Sequence, residues 1–170
     1  MDGGRTGRYG VGLAALLLST VLIVGLAPSR LDAEASENLG TVPASIQLRP
    51  DLRDDVLALT NADRVVHERE ALAVADRLAR YAARHSRRMA ELGYLFHSGD
   101  MQLRAALSGD DWAVAGENVG VGSTLAGVQN AFMASPAHRE NILGDSYDHA
   151  AVGVAESGGV VWVTVIFFGD

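Results

Sequence analysis

Two imidazoles and one carboxylate stand in surroundings that give polar side chains little reason to be there. His97 lies in LFHSG, Glu117 in AGENVG and His138 in SPAHRENI, 20 and 21 residues apart. Two ring nitrogens and a carboxylate make a donor set that suits zinc and leaves a fourth position open. The same three groups could instead form a hydrogen-bonded cluster that stitches loops onto a core without any ligand. Spacing alone does not bring them together. His138 carries one further signal. With Ser135 as N-cap and Pro136 as the first helical residue, His138 takes the position where Glu or Gln would complete a capping box. The partial positive charge of a helix N-terminus disfavours imidazolium, so His138 is expected to be neutral, the form that coordinates metal. Asn118, beside Glu117, is expected to order a loop through its side-chain amide.

Other chemistries are excluded by composition. The chain has no cysteine, which removes a thiol nucleophile, a disulfide and a thiolate metal site. All 14 basic residues are arginine, so a phosphate-loop lysine and a Schiff-base lysine are absent. No G-x-S-x-G occurs, and HEREA at residues 67–71 has Ala71 where the zinc motif H-E-x-x-H needs its second histidine. His67 is therefore expected at the surface or between helices. The formal net charge of −7 gives no electrostatic reason to bind nucleic acid.

The elements that would position these residues begin near residue 51. Leu52, Val56, Leu59 and Val66 recur at helical spacing and predict a first amphipathic helix. Leu78, Ala82, His85, Met89 and Leu92 predict a second, with Asp76 as cap and Gly93 as stop. His85 on that stripe reads as a packed, hydrogen-bonded side chain. Arg77, Arg80, Arg84, Arg87 and Arg88 form a basic strip beside it. Such strips are usually solvated, and can also meet anionic headgroups or wall polymers. A loop-like run extends to Asp111, followed by the glycine-rich WAVAGENVGVGS. Ser123 or Thr124 caps a third helix, and Ser135 with Pro136 opens a fourth. Residues 151–155 and 160–168, joined through Gly158 and Gly159, read as a β-hairpin. Its last strand is apolar on both faces, so helices must cover both sides of the sheet, giving an α+β, three-layer α-β-α sandwich.

Upstream of this domain, Arg5 and Arg8 precede the apolar run GVGLAALLLSTVLIVGLA at residues 10–27. A positive start followed by such a run is read as a secretory signal or, because it approaches the ~20 residues of a spanning helix, an N-terminal membrane anchor. The organisation is a signal or anchor over residues 1–35, a polar linker over 36–50 and one domain over 51–170, placed outside the cytoplasm.

The ordered set LTNADR, LARYAARHSRRMA, LFHS, GENVG, MASPAHRENIL and VGVAESGGVVWVTVIFF resembles the CAP superfamily, also called SCP or pathogenesis-related-1-like, in its bacterial form. The resemblance runs from about residue 52 to the end. It implies the same α-β-α sandwich and a central cleft that holds His97, Glu117 and His138, matching three members of a tetrad of two His and two Glu. Where many relatives carry the second glutamate, this chain has Ser135. From the resemblance, the expected cofactor is zinc or another divalent cation on His97, His138 and Glu117. The expected partner is a small-molecule, lipid or peptide ligand in the cleft; no feature assigns an oligomeric state. The expected function is an exported binding or interaction module, the alternative being a metal-dependent hydrolase of peptides or envelope polymers with Glu117 as general base.

Overall fold

Strand β6 (Val160–Gly169) organises the molecule. Its residues are mostly β-branched or aromatic, and alternation sends Val161, Val163, Val165 and Phe167 to one face and Trp162, Ile166 and Phe168 to the other. All seven are buried. The computed structural model, which describes residues 16–18, 45–110 and 112–170, places helices on both sides. On the first face pack α1 (Arg53–Val66), α4 (Leu125–Ala134) and α5 (Pro136–Leu143), through Val56, Val128, Phe132 and Ile142. On the second pack α2 (Asp76–Leu92) and α3 (Asp100–Leu107), through Leu78, Ala82, Met89, Leu103 and Leu107. The α-β-α sandwich read from the faces of one strand is the architecture found.

In the sheet β6 is flanked on both sides by antiparallel neighbours, β4 (Val114–Gly122) and β5 (His149–Ser157). The short strands β2 (Gln47–Leu48) and β3 (Ala73–Val74) pair with the outer edge of β5. Along the outer edge of β4 lies β1 (Leu16–Leu18), parallel and opposite Ala115, Gly116 and Glu117. The rest of the expected signal or anchor, and the linker up to residue 44, lie outside the described residues. Among the described residues no helix is long and apolar enough to cross a membrane.

The glycine-rich stretch expected to be irregular is strand β4, and its glycines have a steric reason. A Cβ on Gly116 would stand 2.6 Å from Asn141 Oδ1, and one on Gly120 2.9 Å from the Phe132 ring. Both positions lie under α4 and α5, which pack closer than a side chain would permit. The same logic holds α2 against β5. A Cβ on Gly153 would reach within 2.1 Å of the α2 backbone, and the Ser86 hydroxyl bridges the Gly153 carbonyl and the Thr164 hydroxyl.

Four further expectations are corrected. The run to Asp111 contains α3, which buries only Leu103 and Leu107 and so shows little periodicity. On α1 the buried positions are Val56, Thr60 and Arg64, while Val66 is exposed. Arg64 is buried because its guanidinium donates to the carbonyls of Glu70, Ile142, Gly144 and Tyr147, at 2.6 to 3.2 Å. That buried cation fixes the connection between α5 and β5 without a carboxylate. Asp76 is the first residue of α2 rather than its cap, and pairs with Arg53 at 2.7 Å. Ser135 precedes α5 as expected, but its side chain makes no capping bond. Gly93 does end α2 in the left-handed conformation, and the Thr124 hydroxyl accepts from Gly127 N at 3.0 Å to cap α4.

Candidate functional site

Alternation along β4 decides what Glu117 meets. It shares a face with Ala115 and Val119, beneath α2 and α3, and is fully buried. The segment between these helices crosses over it. His97 Nδ1 lies 2.9 Å from Glu117 Oε1, Ser98 N donates to the same oxygen at 2.8 Å, and Ser98 Oγ donates to Oε2 at 2.6 Å. A carboxylate can only accept, so His97 Nδ1 carries hydrogen toward Glu117. The Tyr81 hydroxyl from α2 lies near Ser98, whose own proton is committed to Glu117. The result is a cluster of Ser98, Glu117 and His97 with Tyr81 beside it.

The segment is itself held from α2. His85 Nε2 lies 2.8 Å from the Phe96 carbonyl, and the two rings meet edge-on at 4.9 Å. His85 is thus the packed, bonded residue its place on the stripe predicts, and it positions the backbone that carries His97. Sequence reasoning missed Ser98 and Tyr81. The signal for Ser98 was its place directly after His97, where both its amide and its hydroxyl can reach one acceptor.

Burial alone would raise the Glu117 carboxyl. It is opposed by the hydrogen bonds from His97 and Ser98, the positive field of His85 and the Ser98 amide, which together hold it below the usual carboxylate range. The Tyr81 hydroxyl shifts the other way, because its burial outweighs the opposing effect of Ser98 and the Glu117 charge adds to the rise.

His138 reaches the same strand by another route. It is fully buried on α5, its ring 5.3 Å from that of Phe132. Its carbonyl accepts from Asn118 Nδ2 at 3.0 Å, while Asn118 Oδ1 accepts from Asn141 Nδ2 at 2.8 Å. Asn118 is therefore not a turn former. It is a buried strand residue whose amide fastens α5 to the face opposite Glu117. Asn141 also approaches the Glu117 carbonyl at 3.3 Å, so α5 and the cleft strand are joined at two consecutive residues.

Both Glu117 oxygens already accept hydrogen bonds, and among the described residues no three His, Cys, Asp or Glu side chains are arranged to hold a metal ion. His67 lies between α1 and α5, with Nδ1 2.7 Å from the Asp63 carbonyl and Nε2 accepting from Arg139 at 2.9 Å. His149 stacks on Phe168 at the start of β5 and lies 2.6 Å from Asp148 Oδ1.

A cavity of about 480 Å³ opens beside the segment that carries His97, with Tyr81, Arg84, His85, Arg88, Phe96 and Gln102 among its lining residues. A second, of about 260 Å³, lies at the β2 edge, lined by Leu48, Pro50, Ala79, Ala83 and Val154 with Arg49 and Arg53. Those two arginines are paired with Asp51, Glu156, Asp54 and Asp76, and none of the expected site residues lines it. None of them lines the first cavity either, but its Phe96 directly precedes His97 and its His85 holds the Phe96 carbonyl.

A three-layer α-β-α domain with a His-Ser-Glu cluster under its second helix defines a recognisable class. The chain belongs to the CAP family, described as the cysteine-rich secretory protein family, which it matches over residues 57–167. It does so with no cysteine. It is 30% identical over 136 residues to the Bacillus subtilis (strain 168) protein "Uncharacterized protein YkwD", covering 75% of this chain and 51% of that one. The chain thus spans about half the length of this curated relative. Among solved structures, a Bacillus anthracis extracellular protein containing an SCP domain matches with TM-score 0.60 and 25% identity, over 71% of this chain and 41% of that one. An outer surface protein from Borrelia burgdorferi matches with TM-score 0.65 and 18% identity, over 74% and 98%, and shows the fold alone.

Proposed function

We propose that this protein is an exported CAP-domain binding module, and that the cavity beside His97, Ser98 and Glu117 receives a small ligand carrying an anionic group next to an apolar one. Two guanidinium groups, Arg84 and Arg88, stand in a lining that also contains Phe96, Leu92 and Tyr81. A carboxylate or phosphate at the arginines and an apolar portion against the rings would use both, as a lipid or peptide does. Export is supported by the arginines and apolar run at the N-terminus, and by the Bacillus anthracis relative described as an extracellular protein.

The observation that carries this reading over hydrolysis is the state of Glu117. A general base needs a free lone pair near the substrate and a proton affinity matched to its task. Glu117 is fully buried, accepts three hydrogen bonds and is held low. It serves to fix His97 and Ser98 rather than to take a proton.

The test is a thermal-shift and native mass-spectrometry screen of fatty acids, lysophospholipids and short peptides against the wild type, His97→Ala and Arg84→Ala, with metal content measured in parallel. Ligands that shift the wild type and fail on both variants support the reading. Turnover of any of them lost in His97→Ala would favour the hydrolase, and stoichiometric metal lost in His97→Ala and His138→Ala would restore the metal centre.

A further inference from the structure

The end of α2 and the segment after it carry three features that nothing in the cleft requires together. Leu92, Tyr94 and Met101 expose 40%, 54% and 85% of their surfaces within ten residues of one another. The Tyr94 ring lies 5.5 Å from that of Phe96, Phe96 and Leu92 line one cavity, and Met101 directly precedes Gln102, which lines it too. Four arginines, Arg80, Arg84, Arg87 and Arg88, follow one another on the adjoining turns of α2. Arg87 and Arg88 share the single carboxylate of Glu91, at 2.8 and 3.4 Å. Even counting Asp100 at the start of α3, this corner is cationic in a chain whose formal charge is −7.

We infer that this corner docks on an anionic lipid surface, with Leu92, Tyr94 and Met101 entering the headgroup region and Arg84, Arg87 and Arg88 meeting lipid phosphates. Apolar side chains flanked by arginines form the pattern of an interfacial contact, in which apolar burial and electrostatic attraction add. A soluble polyanion would satisfy the arginines and leave Met101 in water, so the exposed apolar trio favours a bilayer. Docking in this way would turn the cavity mouth toward the membrane. The docking surface shares Arg84 and Arg88 with the cavity lining, whereas Arg87 and Met101 lie outside it, so Met101→Asp separates loss of docking from loss of a cavity ligand.

Hydrogen–deuterium exchange of the full chain tests it locally, independently of what the N-terminal apolar run does. Vesicles containing phosphatidylglycerol should slow exchange across residues 84–102, and phosphatidylcholine vesicles should not. Arg84→Glu/Arg88→Glu should weaken phosphatidylglycerol-dependent partition at least tenfold, since each arginine near an anionic surface is worth about fivefold. Met101→Asp should weaken it several-fold. All these side chains are exposed, so unchanged melting temperatures certify the fold. Absence of protection over residues 84–102, or partition indifferent to both variants, overturns the proposal. Protection by soluble polyphosphate with none by vesicles also overturns it, assigning the arginines to a polymer instead.

Discussion

The two faces of strand β4 put adjacent polar residues to opposite uses. Glu117 points beneath α2, and its partners His97 and Ser98 come from an irregular segment whose Phe96 lines a cavity. Asn118 points under α5, where its amide joins the His138 carbonyl to Asn141. Both are fully buried, and every side-chain oxygen and nitrogen of the two has a hydrogen-bond partner. One cluster includes groups that can still be approached, since His97 keeps 13% of its side chain exposed; the other is sealed. A buried polar residue in an apolar sequence therefore signals a demand for partners, and only the facing layer tells whether that demand is functional or constructional.

The largest expected effect is on the sealed side. Asn118→Leu removes both amide bonds, takes a donor from the His138 carbonyl and leaves Asn141 Nδ2 only its longer bond to the Glu117 carbonyl, which costs about 3 kcal/mol in a chemical denaturation curve. Ligand binding by whatever remains folded should be unchanged. On the cleft side, Glu117→Gln costs about 1–3 kcal/mol at neutral pH, because the charge-assisted bonds from His97 and Ser98 weaken. It should also alter how stability depends on pH. The Glu117 carboxyl is depressed in the folded protein, so the unfolded chain binds the proton more tightly. Its contribution is present above the unfolded value of about 4.3 and is lost as pH falls through that value toward the folded one. The wild type should lose this increment on acidification and Glu117→Gln should not, as read from denaturation midpoints across that range.

Smaller effects sharpen the contrast. His97→Ala should cost about 1 kcal/mol of stability, leaving Ser98 to hold the carboxylate, while reducing ligand affinity disproportionately. Arg84→Ala should leave the melting temperature nearly unchanged, as expected at an exposed position, and act on ligand binding and vesicle partition instead.

The same two faces explain what the sequence could and could not reveal. The faces of β6 were legible because apolar residues fill both of them around the single polar Thr164 and the period is two, and that dictated a sandwich before any coordinates. Strand β4 was hidden because Gly116, Gly120 and Gly122 remove the side chains that mark a strand; their cause lies in Asn141, Phe132 and Val128, which are distant in sequence. Arg64 was hidden because a buried cation satisfied by four carbonyls leaves no complementary acid to find. Of the expected cleft trio, His97 and Glu117 meet directly. His138 is tied to the next residue of the same strand through its carbonyl, so its type alone did not disclose how it is held.

The state of Glu117 can be measured directly by following its side-chain carboxyl carbon by NMR as pH is lowered. A buried carboxylate that fixes a binding cleft should titrate below the ordinary glutamate range, with His97 and Ser98 signals moving in step. A midpoint at or above that range would mean that Glu117 is free to take up a proton, and would contradict the account.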